Sequence, residues 1–180
     1  MLWITVPETE IFDDATGEFT LVKEQTLQLE HSLVSLSKWE SKWHKPFSST
    51  VNKTQEETID YVKCMTITQN VNPMVYCCLT PKNIQEINEY IDDPMTATTF
   101  SDDKTRGRSR EIITSEVIYY QMIALNIPFE CQKWHLNRLT TLIKVCSIKN
   151  EPPKKMSKSA IMARNASLNA ARRKALNTKG

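Results

Sequence analysis

Carboxylate pairs come closest to a catalytic pattern in this chain. They occur four times, as Asp13-Asp14, Glu56-Glu57, Asp92-Asp93 and Asp102-Asp103. A hydrolase or nuclease needs two convergent acids, often holding Mg²⁺. The triplet Glu40-Ser41-Lys42 also imitates the ExK signature of a nuclease, but that signature needs a strand and this segment has helical spacing. Turn and cap chemistry accounts better for most of the acidic pairs, so they do not predict an enzyme.

Histidine and cysteine side chains could supply a zinc site or a cysteine nucleophile. The three histidines are scattered, and the five cysteines contain no CxxC pair. Each cysteine lies in an apolar context, which is typical of a buried thiol. His135 is expected at the surface or at a helix cap. The odd number of thiols indicates a reducing compartment, and we expect no metal and no cofactor.

An aromatic stripe is the first candidate for partner binding. Its residues follow one another at spacings of 3, 3, 4 and 4 within 31–47, and they are Leu33, Leu36, Trp39, Trp43 and Phe47. This spacing predicts one face of a helix about four turns long. The face is either a core surface or a groove that holds another helix, and Leu36, Trp39, Trp43 and Phe47 are the candidate contacts.

The C-terminal segment is the second candidate, because it is strongly basic. Residues 1–150 hold 15 Lys and Arg against 20 Asp and Glu, whereas residues 151–180 hold 8 against 1. The candidate contacts in this segment are Lys154, Lys155, Arg164, Arg172, Arg173 and Lys174. They could contact a phosphate backbone or an acidic protein surface. No aromatic residue is interleaved to stack on bases, so nucleic acid is the less favoured partner.

The elements that position these residues are mainly helical. Short β-like runs at 2–6 and 19–22, and alternation around Leu27 and Leu29, predict a small antiparallel β element. Helix starts are predicted at Ser32, Thr54, Thr80 and Ser157, a short helical turn at Asn72-Pro73, and further helices over 111–125 and from Pro128 to about 148. The helix at 111–125 is apolar around nearly its whole circumference and is expected to be central. Residues 93–110 are polar and predict a long loop.

The predicted fold class is therefore mainly α. A helical bundle-like domain over 1–150 would comprise a small N-terminal antiparallel β element (2–31) and a helical body (32–150). A basic helical tail over 151–180 would follow the break at Pro152-Pro153. Three glycines leave no Gly-rich phosphate loop, and no apolar run is long enough to span a membrane. The N-terminus has no visible secretory signal, and no contact with a membrane is expected.

Five segments carry a resemblance to a known family. They are SLSKWESKWHKPF (35–47), CMTITQNVNPMVY (64–76), IDDPMTATTF (91–100), SEVIYYQMIALNIPFECQKWHLNRLTTLIKVCSIKN (115–150) and PPKKMSK (152–158). They resemble a family of small proteins from tailed double-stranded DNA bacteriophages, over nearly the whole chain. Where such proteins have an assigned role, it is usually that of a tail assembly chaperone, because their genes lie near that of the tape-measure protein.

The resemblance implies a non-enzymatic morphogenesis protein. It would bind the helical, aggregation-prone tape-measure protein, or another tail protein, in the host cell cytoplasm, and self-association is a further candidate. The alternative is a virion structural protein of the neck or tail, of the head-tail connector type, whose basic tail interlocks subunits or contacts DNA. Presence in the virion separates these two expectations.

Overall fold

Four short strands form the N-terminal part of the computed structural model, which describes residues 1–13, 17–48, 53–100, 112–151 and 157–178. They are β1 (Leu2–Val6), β2 (Thr9–Asp13), β3 (Glu18–Val22) and β4 (Gln25–Leu29). β1 pairs with β4 and β2 pairs with β3, both antiparallel. The β2–β3 ribbon therefore extends outward from the β1–β4 ribbon. The predicted antiparallel element is confirmed, although the sequence reasoning missed β2.

Helices make up most of the remaining described chain, so the mainly α class is also confirmed. They are α1 (Leu33–Trp43), α2 (Gln55–Met65), α3 (Pro81–Asp92), α4 (Ser115–Ala124), α5 (Leu136–Asn150) and α6 (Lys158–Leu176), with 3₁₀ turns at Pro73–Cys78 and Phe129–Lys133. The predicted caps are present: side-chain oxygens of Ser32, Thr54, Thr80 and Ser157 accept backbone N–H bonds at their helix starts. These local hydrogen bonds satisfy donors that an uncapped helix leaves without partners.

Two predicted helix boundaries are wrong. α1 ends at Trp43, because His44 adopts a left-handed conformation with φ of 52°. Phe47 therefore lies beyond the helix. The helix predicted to begin at Pro128 is instead a 3₁₀ turn, an extended residue at Trp134 and then α5. The Leu136 N–H donates to the His31 carbonyl oxygen at 2.7 Å, and this long-range backbone bond interrupts the helix.

The chain falls into two compact units, Met1–Ile148 and Lys149–Gly180. In the first unit, α1 contributes to two apolar clusters. Trp39 packs with residues of the β1–β4 ribbon, α2 and α3. Leu33 and Leu36 pack with residues of α4, α5 and the segment between them. The two clusters therefore cover the single apolar face of α1 along its length, one at Leu33 and Leu36 and the other at Trp39.

α4 differs from its prediction. Ile118 and Met122 are buried, but Tyr120 is 69% exposed and Ile123 is 60% exposed. The helix therefore packs on one side only and presents its other apolar side outward. The second unit contains α6, in which no residue is buried. The predicted loop at 93–110 and the break at Pro152-Pro153 lie partly or wholly outside the described residues.

Candidate partner-binding surfaces

Leu36 and Trp39 are core residues. Leu36 is 4% exposed and Trp39 is 1% exposed. The Trp39 Nε1–H donates to the Glu57 carbonyl oxygen at 2.8 Å, and Phe47 meets the indole edge to face. A buried indole N–H needs such an acceptor. This arrangement leaves no exposed surface at Leu36 or Trp39 for the partner contact that the sequence predicted.

Trp43 lies at the rim of the same helix and is half-buried. Its Nε1–H donates to Asp60 Oδ2 at 2.9 Å, while Lys42 pairs with Asp60 Oδ1. Burial raises the pKa of Asp60, but the hydrogen bonds from Lys42 and Trp43 outweigh it and hold that pKa below its ordinary value. The ammonium groups of Lys42 and Lys45 lie within 6 Å of the indole centroid. Trp43 is therefore enclosed by charge rather than open as an apolar anchor.

Glu40, the acid of the ExK-like triplet, has a structural role. Its Oε1 accepts the Phe47 N–H at 2.8 Å, and its Oε2 accepts the Ser115 N–H at 2.7 Å. Ser115 is the first residue of α4, whose N-cap Thr114 makes no side-chain cap bond. The Glu40 carboxylate therefore caps α4 from another helix and lies at the positive end of its dipole. The other acids of that hypothesis, Asp102 and Asp103, lie outside the described residues.

A polar network is buried where β4 meets α1. His31 Nδ1 and the Tyr61 hydroxyl share a hydrogen bond of 2.6 Å. His135 Nε2–H donates to the Tyr90 carbonyl oxygen at 2.9 Å, and the two imidazole rings lie 5.1 Å apart. Burial, reinforced by His135, lowers the pKa of His31 to about 4. The surface position predicted for His135 is wrong, because the residue is buried, but the alternative cap position is confirmed: His135 directly precedes α5 and its Nδ1 accepts the Asn137 N–H at 3.3 Å.

Burial determines the thiol chemistry of three of the five cysteines. Burial raises the pKa of Cys64, Cys78 and Cys131, which disfavours the nucleophilic thiolate. Cys77 is exposed. Within the described part of the chain, no three His, Cys, Asp or Glu side chains are grouped so that they could hold a metal ion.

The outer face of α4 is an exposed apolar stripe that the sequence reasoning missed. Val117, Tyr120 and Ile123 recur at helical spacing along it, and Ile113 lies two residues before the helix begins; Ile113, Tyr120 and Ile123 are each at least half exposed. We call these four residues the α4 stripe. The signal was present in the apolar circumference of this helix, which holds more apolar surface than one packed face can cover. Anchors at this spacing suit a helical partner.

The structure describes four of the six basic tail residues that the sequence proposed as contacts. Arg164, Arg172, Arg173 and Lys174 lie on α6 and are exposed. Lys154 and Lys155 lie outside the described residues. α6 carries five Lys and Arg and no Asp or Glu. Such a helix offers an extended cationic surface together with exposed apolar side chains, among them Ile161 and Leu168.

Comparisons with protein-family models, with curated proteins and with solved structures found no significant match to this chain. Among the described residues, none of the helices combines the length and the apolar character needed to cross a membrane.

Proposed function

We infer that this protein is a non-enzymatic phage morphogenesis protein, a tail assembly chaperone that binds the tape-measure protein during tail assembly in the host cell cytoplasm. The resemblance of its sequence segments to the phage family supports this class. The α4 stripe is the structural observation that carries the binding role. It is an exposed helical surface with apolar side chains at the spacing that receives another helix.

The binding surface is then α4 rather than the tryptophan helix. A long helical client exposes apolar residues before it is assembled, and a chaperone must cover them reversibly. The α4 stripe is small, and contiguous exposed apolar surface on a folded domain commonly marks an interaction site. In this proposal α4 belongs to a bundle-like helical body, which keeps the stripe rigid through buried Ile118 and Met122.

Co-expression with the tape-measure protein of the same phage tests the proposal. The wild-type chain should raise the soluble fraction of that protein and co-purify with it. Changing Tyr120 and Ile123 together to serine should abolish both effects while the fold is retained. A matched control is Ile67→Ser, because Ile67 is a 46% exposed apolar residue outside the stripe. Failure of the wild-type chain to co-purify contradicts the proposal.

The alternative is a virion structural protein of the neck or tail. The observation that favours it is α6, an exposed basic helix that could interlock subunits or contact DNA. Mass spectrometry of purified particles separates the two functions. A chaperone is absent from the particle, whereas a structural protein is present in a fixed copy number.

A further inference from the structure

The β2–β3 ribbon carries a second exposed apolar surface. Phe12 pairs with Phe19 across the ribbon, with ring centroids 5.1 Å apart, and Glu10 pairs with Leu21 on the same face. Phe12, Phe19 and Leu21 are 50%, 71% and 50% exposed. The opposite face carries Ile11 and Val22, which pack against the core. We call the outward face of this ribbon, formed by Glu10, Phe12, Phe19 and Leu21, the arm face.

The segment that carries the arm face is also acidic. Residues 8–24 contain six Asp and Glu and a single Lys, a net charge of −5. The whole of residues 1–150 has the same net charge, from 15 basic and 20 acidic residues. The net charge of residues 1–150 is therefore equal to that of residues 8–24 alone. An exposed apolar patch that includes Glu10 and lies on an acidic segment fits a partner that is both apolar and basic.

α6 has that composition. Its 19 residues include five Lys and Arg and no acid, a charge of +5, and none of them is buried. Ile161, Leu168 and Arg172 follow at spacings of 7 and 4, so they share one face of the helix. In proteins most of the stability of a helix comes from the packing of one face, and no residue of α6 is buried. A surface that covers this face would therefore stabilise α6 as well as bind it.

We propose that the arm face of one copy binds α6 of a second copy of this chain. The segments that carry the two surfaces match in charge, since residues 8–24 carry −5 and α6 carries +5. They also match in length: the five residues of β2 extend about 17 Å, and Ile161 to Arg172 spans about 17 Å along a helix. Ile161 and Leu168 cover Phe12 and Phe19, while Arg172 pairs with the Glu10 carboxylate on the same face and can lie on an aromatic ring.

Charge placement favours a second copy over nucleic acid as the occupant of α6. The cations share their helix face with apolar side chains, and a phosphate backbone offers nothing to cover Ile161 or Leu168. The acidic segment 8–24 would also repel the phosphates of a nucleic acid. The contact is small by the standard of stable interfaces, so we expect reversible association that weakens as salt rises. This inference does not depend on the chaperone role, because the arm face and the α4 stripe are different surfaces.

Analytical ultracentrifugation of the full chain over a range of concentrations tests the proposal. The wild-type chain should associate at low salt and dissociate at about 1 M salt, where the Debye length is about 3 Å. Two charge reversals, E10K/E18K in the arm and R172E/R173E in α6, should each weaken the apparent Kd at least about tenfold. E89K/D92K on α3 is the matched control and should leave the Kd unchanged. Circular dichroism verifies that each variant is folded.

Mixing the two reversed variants gives the decisive result. Neither should associate strongly with itself, because the reversals leave a net charge of only −1 on residues 8–24 of one variant and +1 on α6 of the other. The mixture should form hetero-oligomers, because the unchanged arm face of one variant meets the unchanged α6 of the other. A wild-type chain that stays monomeric at every concentration overturns the proposal. So does association that the arm reversal leaves intact, or association that nuclease treatment removes, which would assign α6 to nucleic acid.

Discussion

The tryptophan face of α1 and the outer face of α4 carry similar apolar patterns and have opposite fates. On α1, Leu36 and Trp39 are almost completely buried, whereas on α4 Tyr120 and Ile123 are mostly exposed. The two helices are joined by Glu40, which caps α4 from α1. The difference teaches that helical spacing identifies an apolar face but does not say what covers it. Whether a face is covered depends on which other elements of the folded chain pack against it.

Of the substitutions that test this comparison, truncating Trp39 should lower the unfolding free energy most. Trp39→Ala removes a buried indole and leaves the Glu57 carbonyl without its donor, so we expect a loss of about 3–5 kcal/mol. That is a large fraction of the unfolding free energy of an ordinary domain. Urea unfolding followed by circular dichroism measures the loss. A change below about 1 kcal/mol would place Trp39 with the exposed residues of α4 and break the comparison.

Acid should destabilise the folded chain through the buried His31. The pKa of His31 is about 4 in the folded chain and about 6.5 when unfolded. Between these values the unfolded state binds more protons, so stability is full above pH 6.5 and falls as the pH drops toward 4. The expected loss is roughly 3 kcal/mol.

Urea midpoints measured from pH 7 to pH 4 test this dependence on His31. His31→Gln should flatten the slope of stability against pH. His44→Asn is the control, because His44 is exposed and its left-handed backbone conformation suits asparagine. An equal slope in wild type and His31→Gln would contradict the assignment.

Removing the Glu40 carboxylate should destabilise the start of α4 more than the other helices. Glu40→Ala leaves the N–H groups of Phe47 and Ser115 without acceptors, and we expect a cost of about 2–3 kcal/mol. Glu40→Gln keeps one acceptor oxygen and should cost less. Hydrogen exchange by mass spectrometry should show faster exchange at the start of α4 than in α2. Uniform acceleration across the chain would mean that Glu40 does not act as the cap of α4.

The smallest effect on the unfolding free energy is expected from substitutions on the exposed side of α4. Tyr120→Ser with Ile123→Ser should change the unfolding free energy by no more than about 0.5 kcal/mol per substitution, since exposed side chains contribute little. The same variant should fail to co-purify with the tape-measure protein. Thermal unfolding beside the co-purification assay measures both quantities. A strongly destabilised variant would show that the α4 stripe is covered in the folded chain.

Local signals predicted the helix starts well. Ser32, Thr54, Thr80 and Ser157 cap helices where the sequence indicated, because capping depends on residues within three positions. The helix predicted to begin at Pro128 was wrong because a long-range contact determines that part of the chain. The Leu136 N–H bonds to the carbonyl of His31, and a partner a hundred residues away leaves no local pattern.

The candidate surfaces divide in the same way. The sequence indicated α6 and its Arg172, Arg173 and Lys174, because charge is a property of composition and stays at the surface. It could not indicate the arm face, since β2 is short and Phe12 and Phe19 meet only after the ribbon pairs. Nor could it show that Trp39 is covered, because α2 and the β1–β4 ribbon supply that cover from elsewhere in the chain.

The sequence alone thus determined the mainly α class, the four capped helix starts and the basic character of the tail, which all follow from neighbouring residues and composition. Only the tertiary structure decided which apolar face is core and which is exposed. The reason is that burial depends on several elements at once: two clusters together cover the apolar face of α1, whereas α4 packs on one side only and leaves its other apolar side exposed.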